Sequence, residues 1–304
     1  MSRIAIVVVS FMGSLGFALG IGYILLIGRA FGRGSESVTW FLVGESDANL
    51  GWGFLLFLVP YALLLAHLYL RIRVGSWLLS RGEVELAERY ASRRMKPNLL
   101  RARKEALAHR NVVARILIRR GEYDGAWNLM EDAEPGRPSP WAVERRRWQL
   151  ETALRRENLL DAHTIVEAAG TVRSRGGEVA AYLACVAEIA IREGKPAEAR
   201  ERLDAARWAL SAPHPRVAFV RGLHAAKFTK DEETTRDGLG LIEQAKPWLG
   251  DVPGAEGEWR AVKALLLARE GDAAAARQAL GEFSESWDRR SRFAWEEARD
   301  EIEG

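Results

Sequence analysis

Arg119-Arg120-Gly121-Glu122-Tyr123-Asp124-Gly125-Ala126, with Ala133 and Pro138 beyond it, is the stretch that decides the fold. Glycine after a charged helical run stops a helix by adopting a left-handed conformation. A small residue five positions later sits where a second helix crosses the first, because a larger side chain would hold the two axes apart. The same arrangement returns as Arg81-Gly82-Glu83-Val84 with Ala87, as Glu193-Gly194-Lys195-Pro196 with Ala199 and Ala206, and as Glu270-Gly271-Asp272-Ala273 with Ala276. Two looser copies fit between them, one around Leu159 and Ala162 with Ala169, the other around Gly238 and Ala245. With Ala87, Ala126, Ala162, Ala199, Gly238 and Ala276 taken as equivalent, the spacing is roughly 36 to 39 residues, a period that signals stacked supersecondary units.

About six helix pairs result, and the fold class is all-α. Large apolar residues ahead of the glycine, such as Leu117 and Leu267, fill the groove between neighbouring pairs. One pair buries only part of its apolar face, so stability comes from stacking. Pro135 to Pro140, Gly176-Gly177, Pro213 to Pro215 and Gly250 to Gly254 punctuate the helices. The third copy has Glu157 in place of the turn glycine, and the fifth is lengthened around Lys230 to Glu233.

Over roughly residues 72 to 284 this pattern resembles the tetratricopeptide-repeat family, with a period slightly longer than the usual 34 or so. The resemblance implies an α-solenoid whose first helices line a concave face that binds proteins or peptides. Arg115, Arg119, Arg146 and Tyr182 lie on first helices and are the protein-binding candidates. A last helix, from about Ser284 to Ile302, carries Trp287, Trp295 and Ile302 on one side and mostly acidic residues on the other, as a terminal cap would; Phe293 falls off that stripe.

Ahead of the repeats lie two uncharged apolar runs, about 4–28 and 51–70. The first, at about 25 residues, is long enough to cross a hydrocarbon core of about 30 Å and too long for a usual signal-peptide h-region. Trp52, Tyr69 and Arg71 bound the second as interfacial anchors. Residues 1–71 are therefore expected to form a transmembrane hairpin and 72–304 a cytoplasmic solenoid with a capping helix. The connecting loop holds Arg29 and Arg33 against Glu36, Glu45 and Asp47, whereas Arg71, Arg73, Arg81, Arg89, Arg93, Arg94 and Lys96 follow the second run. Positive-inside then puts both termini in the cytoplasm of a bacterial inner membrane. Gly16 and Gly20 form a GxxxG that serves packing between the spans or docking onto another membrane protein. Arg71 and Arg73 are placed to attract anionic lipid.

Composition sets the exclusions. The 304 residues carry 44 Lys and Arg against 41 Asp and Glu, a net charge of +3 without a base-reading module, so nucleic acid is not an expected partner. One cysteine, Cys185, excludes an internal disulfide and any multi-cysteine metal site, and its apolar helical context reads as core. There is no Walker loop, G-x-S-x-G, H-E-x-x-H or C-x-x-C, and the five histidines lack metal-ligand spacing. No catalytic residue, metal or cofactor is expected. Trp127, Trp148, Trp208 and Trp259 read as core or groove lining, and Arg145-Arg146-Arg147 as a solvated helix face. The expected function is that of a membrane-tethered scaffold recruiting protein partners. A second expectation comes from similarity of layout to HemY-type proteins, which implies organising or regulating a membrane-associated haem-biosynthetic enzyme.

Overall fold

Helix follows helix wherever the backbone is described. The computed structural model describes residues 70–95, 103–131, 140–169, 175–229 and 231–303. The chain divides into two compact units, Met1–Ser80 and Arg81–Gly304. In the first, the described part is a helical run over residues 70–80 with Leu78 and Leu79 buried and Arg73 exposed. The two apolar runs, save Leu70, and the Gly16/Gly20 pair lie outside the described residues. Among the described residues no helix is long and apolar enough to cross a membrane.

The second unit is all-α. Its helices are α1 Val84–Ser92, α2 Arg103–Arg119, α3 Tyr123–Glu131, α4 Pro140–Arg155, α5 Leu159–Ala169, α6 Gly177–Arg192, α7 Pro196–Ala209, α8 Pro215–Phe228, α9 Glu232–Ala245, α10 Glu256–Arg269, α11 Ala273–Leu280 and α12 Arg289–Glu303. Two 3₁₀ turns, Lys246–Gly250 and Pro253–Ala255, join α9 to α10.

Turn chemistry explains the pairing. Gly82, Gly121, Gly194 and Gly271 all have φ between 72° and 87°. At Gly121 a Cβ would meet nothing within 4 Å, so the backbone angle alone demands glycine. The amide three residues beyond α2 reaches back five positions, Glu122 N to Leu117 O at 2.9 Å, which closes the end of the helix. Glu157 does the same without glycine: its φ is 60°, and Asn158 N reaches Ala153 O at 3.0 Å. The fifth copy is built differently. There α8 ends in extended Thr229, and Asp231 caps α9 by accepting from Thr234 N at 2.8 Å.

The six small residues taken as equivalent are buried. Ala87, Ala126, Ala162, Ala199 and Ala276 are 0% exposed, and a Cβ on buried Gly238 would sit 3.1 Å from Leu266 and Ala225. Pairs α2/α3, α4/α5, α6/α7, α8/α9 and α10/α11 follow one another, and each first helix packs on the next, from α2 through α4, α6, α8 and α10 to α12. α12 also touches α4, which draws the inner helices together. Consequently α6 is buried around nearly its whole circumference, from Val179 to Ile191 with only Leu183 partly open. Second helices bury one stripe, as α7 does with Ala199, Leu203, Ala206 and Ala209. First helices thus form an inner layer and second helices an outer one.

The last helix starts at Arg289, not near Ser284. Asp288 accepts from Ser291 N at 2.7 Å and so caps it, leaving buried Trp287 in the preceding turn.

Candidate functional site

The inner layer is charged where an apolar core would be expected. Near the end of α4, buried Arg155 donates to Glu258 of α10 at 2.6 Å and lies 3.6 to 3.7 Å from Glu151, Glu188 and Asp288. Arg216 of α8 donates to Glu151 at 2.8 Å and to Glu188 at 2.5 Å. Arg290 of α12 donates to the other oxygen of Glu258 at 3.0 Å, and Arg192 pairs with Glu188. Four guanidinium groups, from Arg155, Arg192, Arg216 and Arg290, thus face four carboxylates, from Glu151, Glu188, Glu258 and Asp288. Charge balance with direct hydrogen bonds is what lets such groups remain ionised away from water.

Local electrostatics follow from that geometry. Burial pushes the Glu188 carboxyl up, but Arg216 and Arg192 outweigh it and hold it at about 2. Burial likewise pushes the Glu258 carboxyl up, but Arg155 and Arg290 outweigh it and hold it well below the usual carboxylate range. At Asp288 burial wins over Arg155 and the carboxyl is raised. Tyr123, at the start of α3, donates its hydroxyl to Asp288 at 3.1 Å, and burial raises its phenol. Arg216 and Arg155 lie 4.6 and 5.5 Å from the ring of buried Trp248, within cation–π range.

Of the sequence candidates, Arg115 and Arg119 come together. Both donate to Asp251, at 3.2 and 2.6 Å, and Asp251 is lowered because these two with Arg147 overcome its burial. Arg146 caps α5 instead, donating to Ala169 O at 3.1 Å and Ala168 O at 3.3 Å. Tyr182 is 3% exposed, and burial pushes its phenol up to about 12 against the opposing charge of Arg146. These four side chains are engaged by the chain itself.

Two sequence expectations need correcting. Arg145 and Arg147 are buried, not solvated, because α4 has neighbours on every side: Arg145 donates to Met130 O at 3.0 Å, and Arg147 stacks 3.5 Å over Trp148. Trp208 is not packed between helices. It stands 67% exposed, with Arg175 4.0 Å from its ring.

An arginine two residues before the turn is the signal the sequence reading passed over. Arg119, Arg155, Arg192 and Arg269 each stand two before Gly121, Glu157, Gly194 and Gly271. Two of them reach the end of the preceding first helix: Arg192 donates to Leu154 O at 3.0 Å, and Arg269 to Thr229 O at 2.7 Å. They satisfy carbonyls that a helix C-terminus leaves open, so one recurrent residue ties repeat to repeat.

Reactive groups are few among the described residues. Cys185 is buried, its thiol pushed up to about 12 by desolvation, with Glu151 3.8 Å away. No group of three His, Cys, Asp or Glu side chains could hold a metal among the described residues. A shallow polar depression between Glu85, Glu88, Arg89, Arg93 and Arg120 is bridged by a bidentate Arg120–Glu88 pair at 3.0 and 2.6 Å. No protein-family model, curated protein or solved structure matches the chain.

Proposed function

We propose that this protein is a membrane-tethered interaction scaffold, in which an N-terminal apolar hairpin of about residues 4–28 and 51–70 holds a tetratricopeptide-like solenoid at the cytoplasmic face of a bacterial inner membrane. The observation that carries it is the succession of antiparallel helix pairs, each with a buried small residue where its helices cross, two of them tied to the preceding first helix by the arginine ahead of the turn. Stacked pairs present long surfaces to other proteins. The two uncharged runs and the arginines that follow them support the tether and its orientation. Because the inner faces of the first helices are occupied by the chain's own charges, partners meet the outer helices and turns. Leu160 and Trp208 stand exposed there, at 77% and 67%.

In-cell crosslinking of the membrane fraction, read by mass spectrometry, tests this. The expected result is reproducible links from α5 and α7 to a small set of proteins. Recovery of the chain in the soluble fraction, or links no richer than for an unrelated membrane protein, would overturn it. A Soret band in the purified protein would instead favour the HemY-like role.

A further inference from the structure

Near the amino ends of the inner helices, hydrogen-bond donors outnumber the acceptors that face them. Arg147, in the first half of α4, has a side chain only 4% exposed and donates no hydrogen bond among the described residues. The carboxylate it pairs with, Glu178 Oε2, lies 3.9 Å from Nη1, and neither Arg147 Nε nor that oxygen has a hydrogen-bond partner. Fully buried Trp148 has the Arg147 guanidinium carbon 3.5 Å and the Arg115 guanidinium carbon 5.0 Å from its ring, and its Nε1 is also without a partner. Arg115 donates one terminal N–H to Asp251 at 3.2 Å, while its Nε is unpartnered. Donors from three side chains thus gather about one indole.

The neighbouring groups favour an added negative charge. His214, half-buried beside Gly177 ahead of α8, accepts from Arg216 N through Nδ1, so its Nε2 carries the proton. Burial first, and Arg147 after it, holds that imidazole at about 4, so it is neutral at pH 7. Glu144 is raised by burial and by Glu178, which weakens the local negative charge, and Asp251 is already shared between Arg115 and Arg119. Glu178 stands in the first turn of α6, whose start has no side-chain cap. Uncapped amides at a helix start attract anions. The Asp251 and Glu178 side chains are 29% and 45% exposed, so this place opens to water on their side. A guanidinium fork matches the paired oxygens of a carboxylate or a phosphate.

We propose that Arg147, with Arg115 and the Trp148 indole beside it, binds one oxyanion from solution, a phosphate or a carboxylate group, near the amino ends of α4, α6 and α8. The site is separate from the outer faces assigned to protein partners and stands or falls without them.

Equilibrium dialysis of the full-length chain in detergent, against radiolabelled phosphate and separately radiolabelled acetate at one fixed chloride concentration, measures this. One saturable site per chain is expected for at least one of the two anions. Tighter phosphate identifies a phosphoryl ligand, and tighter acetate a carboxylate. Arg147→Met weakens that binding by about 10- to 100-fold, whereas Arg200→Met, on the exposed face of α7, leaves it unchanged. Arg147→Lys keeps the charge without the planar fork and weakens binding by about tenfold, which serves if circular dichroism shows the methionine variant unfolded. Absence of a saturable site for both anions in the unaltered chain overturns the proposal. So does an equal loss in the folded Arg147 variant and in Arg200→Met, because the anion then responds to overall charge alone.

Discussion

Replacing Arg155 by methionine keeps most of the side-chain volume and removes the positive charge on which Glu258, Glu188, Glu151 and Asp288 converge. All five side chains are essentially inaccessible to water, so the loss is not screened. Removing one partner of a buried ion pair costs about 3–5 kcal/mol, because the other charge stays behind uncompensated. For a body of this size that is a fall in Tm of roughly 6–20 °C. The dependence on pH is more diagnostic than the size. In the native protein Glu188 is held at about 2 and Glu258 is also depressed. A depressed carboxyl contributes stability above its unfolded value of 4.5, and that stability is lost as pH falls through the folded value. The native chain therefore loses stability below about pH 4.5. Without Arg155, burial raises Asp288 further and Glu258 is depressed less, while Arg216 and Arg192 still hold Glu188 down, so the variant loses less stability than the parent as pH falls below 4.5. The gap between variant and parent is widest at neutral pH and narrows on acidification. Denaturant titrations of the detergent-solubilised chain, followed by circular dichroism at several pH values, measure this. A loss below about 1 kcal/mol at pH 7, or parallel pH profiles, would refute the reasoning.

Four further outcomes follow from single positions. Ala199→Leu forces a larger side chain into a fully buried helix crossing and destabilises by about 1–3 kcal/mol, whereas Ala197→Leu on the exposed face of α7 stays within about 0.5 kcal/mol; thermal melts compare them. Gly121→Ala costs about 1–2 kcal/mol through backbone conformation alone. Gly257→Ala costs about 1–3 kcal/mol by displacing Trp287, and a change in tryptophan fluorescence separates it from the Gly121 variant. Cys185, buried and with its thiol at about 12, reacts with a thiol reagent at pH 8 only as fast as the chain unfolds, so the labelling rate falls with anything that stabilises the fold.

The outer framework was legible because it depends on local rules. A turn glycine and a small residue five positions on report constraints that one helix pair imposes by itself, and Ala87, Ala126, Ala162, Ala199 and Ala276 are all inaccessible as the repeat requires. The missing glycine at Glu157 did not break the pattern: the turn keeps its left-handed residue and its closing hydrogen bond, and Glu157 lies 3.3 and 3.4 Å from Arg192 and Arg290. The inner layer was not legible. Arg145 and Arg147 read as part of a solvated face, and nothing marked Arg155 or Arg216 as buried, because nothing local says that α4 and α8 are surrounded. Their partners lie far along the chain, Glu258 at 103 residues from Arg155 and Asp251 at 132 from Arg119. Hydrophobic periodicity carries no record of such pairings, and a helix with charge on its inward face scores as a surface helix. Trp208 failed in the opposite sense. Its place on an outer helix leaves it uncovered, although its type suggested packing.

The central claim is that the stack of helix pairs turns inward far enough for its early and late repeats to be joined by charge. The coupling energy between Arg119 and Asp251, obtained from a double-mutant cycle with alanine at each position, tests this most directly. The predicted value is about 1–3 kcal/mol. Additivity within about 0.5 kcal/mol would mean that the two side chains do not meet, and would contradict the account.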